Sequence, residues 1–320
     1  MSNPGQNLPR RDITILDGGM GRLLEQLGAP FRLPEWSALA LIEAPEYVTR
    51  AHEIYADSGA QVLTTNTFGL VPHMLGEERF LRRARSLAGL AGQLARSVAV
   101  QAGTAHPGSP VLVAGSLPPL FESYRPEKFI PARADDILTP LIMGLAPWID
   151  FWLIETQSST REALTALDAV RRVSPLPVHV AYTLKDEAGR TGPAELRSGE
   201  PVAEAVAATL RAGAAGILFN CSQPEAMGAA VVAARRVIDA STTPTAALGV
   251  YANAFMPEPP SDEPYAGISR LRDDLDPANY LKWIRRWVGQ GATMVGGCCG
   301  IGPAHIAAIR NAGEDIFPAG

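Results

Sequence analysis

The stretch Gly216-Ile217-Leu218-Phe219-Asn220-Cys221-Ser222 decides how this chain is read. Its apolar run is short and has no polar alternation, so it reads as a strand buried on both faces that runs straight into Asn220 and Cys221. Similar runs occur at 13–16, 61–67, 111–116, 151–154, 178–182, 245–250 and 292–295. Helical segments separate them, at 22–27, 45–58, 77–101, 135–148, 160–173, 201–212, 224–240 and 277–288, and another closes the chain at 303–311. The spacing predicts interruptions at Pro140 and Pro147, and a cap at Ser159 or Thr160 opening the segment that follows. Eight doubly buried strands alternating with helices predict a single (β/α)8 barrel rather than an open doubly wound sheet. Residues 12–320 form that barrel, residues 1–11 are expected to be a flexible arm, and 29–44, 117–134 and 254–274 are expected to be loops over one face, the last a lid or rim.

Composition narrows the function. Of the 320 residues, 47 % are hydrophobic and 19 % charged, which supports a large core. The net charge of -5, without a long basic run, argues against nucleic acid as the main partner. No apolar stretch reaches the roughly 18 residues of a membrane span, and the first residues lack the apolar core of a signal peptide, so a cytoplasmic address is expected. A reducing compartment would keep the three cysteines as thiols.

A barrel of this kind carries its chemistry at the C-terminal ends of its strands. Those ends hold Asp17, Thr65, Asn66, Ser116, Glu155, Tyr182, Cys221, Asn253, and the adjacent pair Cys298 and Cys299 in Gly296-Gly297-Cys298-Cys299-Gly300. Lone cysteines are commonly small buried hydrophobes. An adjacent pair between glycines, with a third thiol at another strand end, instead points to a three-sulfur metal site with one position open, as in a catalytic zinc centre. Glu155, next to a buried strand, is either one half of a salt bridge to a loop arginine or a working carboxylate. Asp17 with Gly18 and Gly19 is either a tight turn or a cradle of backbone N–H groups. Asn253 is a ligand contact or a loop staple. The histidines show no ligand-like spacing and are taken as structural.

Asp17-Gly18-Gly19-Met20, Thr64-Thr65-Asn66-Thr67, Glu155-Thr156, Asn220-Cys221, Tyr251-Ala252-Asn253 and Gly296-Gly297-Cys298-Cys299-Gly300, in that order over nearly the whole chain, resemble the homocysteine S-methyltransferase family. The resemblance implies a zinc-binding (β/α)8 barrel that methylates the thiol of homocysteine to give methionine. It implies zinc ligands at Cys221, Cys298 and Cys299, and homocysteine contacts at Asp17 and the Gly18 backbone, at Thr65 near the carboxylate and at Glu155 near the amino group. Asn253 matches a family Asn at the same mouth, although Ala252 stands where the family commonly has Pro. The small enzymes that use S-methylmethionine are the most similar, so S-methylmethionine or S-adenosylmethionine is the expected donor. A betaine-type onium or corrinoid-linked donor, a flavin- or phosphate-binding barrel with incidental cysteines, and a non-catalytic zinc sensor are the alternatives. The partners expected are these small molecules, and the oligomeric state stays open.

Overall fold

A computed structural model describes residues 12–105, 108, 110–187, 189–256 and 270–316. The arm expected at 1–11 and most of the expected lid, 257–269, lie outside the described residues. Eight strands are present among them: β1 (Thr14–Ile15), β2 (Val62–Thr64), β3 (Leu112–Leu117), β4 (Phe151–Gln157), β5 (Val178–Tyr182), β6 (Gly216–Asn220), β7 (Ala247–Tyr251) and β8 (Met294–Val295). Each pairs in parallel with its neighbour in sequence, and β1 pairs with β8. A parallel bridge between Leu16 and Val62, with the Asp17 N–H donating to the Val62 carbonyl at 3.1 Å, joins β1 to β2 and closes the ring. The expected (β/α)8 barrel is the fold.

Two apolar layers hold it together. Side chains alternate along a strand, so one set packs inside the ring: Leu16, Val62, Ala114, Phe151, Leu153, Ala181, Leu218, Tyr251 and Met294. The other set, including Trp152, Ile154, Val180, Ile217 and Phe219, packs outward against the helices. Burial on both faces is why these strands show no polar alternation. In β4 the inward series 151, 153 continues to Glu155, which places a carboxylate on top of an apolar plug.

The helices differ from expectation in two places. The segment 29–44 is not all loop, because Ser37–Glu43 is helical. Its sequence SALALIE is rich in helix formers, and Ala38, Leu39, Ala40 and Leu41 are buried. Helix Ala134–Leu145 runs through Pro140 without a break. Burial of Ile137, Leu138, Leu141, Ile142 and Leu145 on both sides of the proline outweighs the roughly 3 kcal/mol that an interior proline costs. Helix Glu77–Ala105 lies against it at Gly144, where an added Cβ would stand 2.4 Å from the Arg85 carbonyl oxygen. The cap at Ser159 is present: its hydroxyl accepts from the Glu162 N–H and opens helix Thr160–Arg171. No helix among the described residues is long and apolar enough to cross a membrane.

Candidate metal centre and substrate mouth

The distant cysteines meet. Cys221 Sγ lies 3.7 Å from Cys299 Sγ and 2.8 Å from Cys298 Sγ, and the two adjacent sulfurs are 3.9 Å apart. All three are free thiols, and they form a group able to hold a metal ion. Around a tetrahedral ion with bonds of about 2.3 Å, ligand sulfurs stand about 3.8 Å apart. Two of the three edges match that value, and binding needs the Cys298 sulfur to draw back from Cys221 by about 1 Å. The donor chemistry fits a cation as well. Hydrogen bonds from the thiols of Cys298 and Cys299 hold Cys221 below the usual thiol range, and donating to Cys221 pushes the other two up. Only a cation at the centre lets all three ionise together.

Local backbone builds the cluster. Alternation in β6 would turn Cys221 away from the barrel interior. Its positive φ of 50° breaks the alternation, and its N–H donates to the Tyr251 carbonyl at 3.2 Å. The turn 17–19 and the turn 296–301 interlock: Gly19 N–H donates to Ile301 O and Gly297 N–H to Asp17 O. A Cβ on Gly18 would stand 2.4 Å from the Ile301 carbonyl oxygen, and one on Gly297 would stand 2.1 Å from Ile301 Cγ2. These glycines therefore let two loops meet. The space at Gly296 is filled by Leu16 and Asp17, and both its N–H and that of Gly297 are given to carbonyls. That leaves no cradle for the phosphate or flavin of the alternative reading.

Two buried carboxylates face the same mouth. Glu155 accepts from the Ser116 hydroxyl and, at 3.2 Å, from the Tyr251 hydroxyl. Burial pushes its pKa up to about 7 against these donors, and the nearby Cys221 adds to the rise. Asp17 accepts from the Thr64 N–H at 2.7 Å and the Thr64 hydroxyl at 2.8 Å, and burial pushes it too up to about 7, with the charge of Glu155 contributing. Neither acid has a salt-bridge partner among the described residues, so the salt-bridge reading of Glu155 is set aside. A cation placed beside them would favour the ionised form of both acids.

The other strand-end residues divide. Thr65 hydroxyl accepts from Ser116 N–H at 3.0 Å and pairs with Thr67, so it braces the serine that holds Glu155. Asn253 Oδ1 accepts from Gln223 Nε2 and the Phe255 N–H, which staples the loop after β7. Asn66 donates to the Ser37 carbonyl, on the helix behind it. Tyr182 does not face the mouth. It ends an outward series, is fully buried, and its hydroxyl lies 2.5 Å from Thr209 on a surrounding helix. The apolar run ends at Val250, but Tyr251 still belongs to β7 and faces inward. The inward series 247, 249, 251 could have revealed it. Tyr124, inside the long loop after β3, lies under the Arg197 guanidinium and within electrostatic reach of the three cysteines, with no signal in the sequence to mark it. Both ring nitrogens of buried His52 and the Nδ1 of half-buried His179 are unpartnered, burial pushes both residues down to about 4, and His305 bonds to Gly302 and Leu275. Cavities of about 700 Å³ near His73 and Glu122 and about 630 Å³ at the opposite end of the barrel near His179 contain none of the cysteines.

A model of the homocysteine S-methyltransferase family matches residues 14–313. The chain is 27 % identical to the homocysteine S-methyltransferase of Escherichia coli K12, over 95 % of this chain and 96 % of that one. In three dimensions it is similar to the Escherichia coli homocysteine methyltransferase MmuM. The metallated form gives a TM-score of 0.75 at 23 % identity, covering 94 % of this chain and 96 % of that one. The oxidized form gives 0.75 at 24 % identity, covering 95 % and 97 %. These likenesses in space bear on the fold.

Proposed function

Because the chain belongs to the homocysteine S-methyltransferase family, we propose that it moves a methyl group from S-methylmethionine to the thiol of homocysteine, at a zinc ion held by Cys221, Cys298 and Cys299. The meeting of the three sulfurs at one point, with edges of 2.8, 3.7 and 3.9 Å, carries this reading. Three thiolates favour zinc among divalent ions. When bound there, zinc supplies the positive charge that keeps a substrate thiol ionised at neutral pH.

The protein's own groups do the rest. Glu155, oriented by Ser116 and Tyr251, takes the substrate ammonium, with the charge of Asp17 beside it. We assign the substrate carboxylate to the Gly18 backbone and Thr65. These contacts turn the substrate sulfur toward the donor methyl. The C–S bond of the donor breaks and its sulfur keeps the electron pair, while a new C–S bond forms on homocysteine, whose thiol proton is released. With S-methylmethionine both products are methionine. No side chain has to move a proton during transfer, which agrees with the lack of a histidine among the described residues lining the mouth.

The chemistry of the mouth supports an onium donor. Burial favours the neutral form of Asp17 and Glu155, a cation beside them favours their ionised form, and a sulfonium loses its charge as it reacts, which a dry site favours. Incubating zinc-loaded protein with homocysteine and S-methylmethionine, S-adenosylmethionine, betaine or methyltetrahydrofolate in turn, and measuring methionine, tests the assignment. Methionine is expected fastest with S-methylmethionine. Methionine only from betaine or the folate would overturn the donor, and none from any donor would overturn the activity.

A further inference from the structure

Arg197 stands over the strand exits with most of its hydrogen-bonding capacity unused. It lies in the loop that leaves β5 after Tyr182, and that loop is tied down at the ends of three strands. Arg197 N–H donates to the Thr183 carbonyl at 3.2 Å, Ser198 N–H to the Ser158 carbonyl just past β4 at 3.0 Å, and Leu184 N–H to the Ser222 hydroxyl, beside Cys221, at 2.9 Å. The guanidinium is then fixed from two sides. Nη2 pairs with Asp186 at 2.9 Å, and the other Asp186 oxygen accepts from the Gln223 N–H at 2.9 Å. Gln223 is two residues past Cys221, a span of at most about 7 Å. On its other side the guanidinium lies over the Tyr124 ring, 4.9 Å from the centroid. Tyr124 comes from the loop after β3 and holds φ at 66°, a conformation that persists only where the surroundings impose it.

The other basic groups of this loop are spent. Lys185 at 3.0 Å and Arg190 at 2.9 Å both pair with Glu195. Arg197 is different, because a guanidinium carries a fork of N–H donors and neither Nε nor Nη1 has a hydrogen-bond partner among the described residues. Nε is enclosed, the side chain is 25 % exposed, and Nη1 is the donor left open. We propose that Arg197 binds the carboxylate of the methyl donor, and so selects an amino-acid sulfonium over one without a carboxylate. This deepens the donor assignment proposed above and rests on it. The homocysteine carboxylate was assigned to Gly18 and Thr65, past β1 and β2, whereas Arg197 hangs over the exits of β4 to β6, on the other side of Glu155. Two amino acids whose sulfurs meet at one ion bring two carboxylates that repel each other, and separate anchors let both bind. A planar guanidinium suits a carboxylate, and one already held by Asp186 and Tyr124 loses little freedom on binding.

The test compares S-methylmethionine with its carboxamide, which keeps the sulfonium and loses the carboxylate charge, in zinc-loaded full-length protein with methionine as the readout. Wild type is expected to show a KM for the amide about 10- to 100-fold above that for S-methylmethionine. Arg197→Met, which keeps an unbranched side chain over Tyr124, is expected to raise the KM for S-methylmethionine by that factor and to erase the preference for acid over amide, with the KM for homocysteine and the zinc content unchanged. Arg197→Lys, which keeps the charge without the fork, should recover part of the loss. Equal use of acid and amide by wild type would overturn the inference whether or not the variants fold. So would an Arg197→Met that keeps the wild-type preference, or one whose only change is a raised KM for homocysteine. Wild type that forms no methionine from S-methylmethionine, yet forms it from betaine or methyltetrahydrofolate, would overturn the donor reading itself, and this inference with it.

Discussion

Tyr251 reaches across the barrel interior from β7 to donate its hydroxyl hydrogen to Glu155 on β4, at 3.2 Å. With the Ser116 hydroxyl on the other oxygen, this fixes the carboxylate plane on a floor made by Phe151 and Leu153. Removing one donor to a buried carboxylate costs about 1.5 kcal/mol or more, roughly tenfold in an equilibrium constant. Tyr251→Phe is predicted to raise the KM for homocysteine about tenfold while metal content stays at the wild-type level. Steady-state kinetics with metal analysis of the same sample checks this, and an unchanged KM counts against Glu155 as the ammonium partner.

Tyr182 gives the contrasting case. Its hydroxyl pairs with Thr209 in the helix layer, away from the mouth. Tyr182→Phe is predicted to lower stability by about 1 kcal/mol and to leave KM and kcat within twofold of wild type. Denaturant melts and kinetics on one preparation decide it. A large change in KM would return Tyr182 to the site.

Asp17 makes stability depend on pH. Its folded pKa, raised to about 7 by burial, lies above the value near 4 of an unfolded aspartate. Between these values the native state holds a proton that the unfolded chain has lost, so this group's contribution falls as pH rises from about 4 to about 7. In metal-free protein, Asp17→Asn is predicted to flatten that slope, seen as a smaller difference between urea midpoints at pH 5 and pH 8. Parallel slopes in wild type and variant would show that Asp17 is ionised throughout.

The interlocked turns predict a structural cost. An alanine at Gly18 puts its Cβ 2.4 Å from a backbone oxygen, and backbone cannot step aside as a side chain can. Gly18→Ala is predicted to destabilise by about 1–3 kcal/mol and to loosen metal binding, because the displaced partner is the turn carrying Cys298 and Cys299. A thermal melt with a competitive metal titration measures both.

Much of this was legible in the sequence, and each exception has its own physical cause. The barrel follows from strands like Gly216–Asn220, whose unbroken apolar character records burial on two faces. The sulfur cluster follows from each cysteine lying just past such a strand. What the strand ends alone did not show was direction. Tyr182 and Tyr251 are both aromatic residues at strand ends, yet one faces the helices and the other the interior. The difference depends on which alternate series of each strand faces inward: Ala181 packs inside the ring in β5, which turns Tyr182 out, whereas Tyr251 itself is on the inward series of β7. Tyr124 was hidden because a loop has no period to reveal it. Pro140 misled because proline's local cost is visible in sequence, whereas the packing that offsets it is not.

The most direct test is metal analysis of purified protein beside Cys221→Ser, Cys298→Ser and Cys299→Ser, each checked for folding by its far-ultraviolet spectrum. The account predicts stoichiometric zinc in wild type, its loss from each folded variant, and loss of methionine formation in parallel. Zinc retained by folded Cys221→Ser at the wild-type level would contradict it, since the ion would then owe nothing to the sulfur on β6's exit.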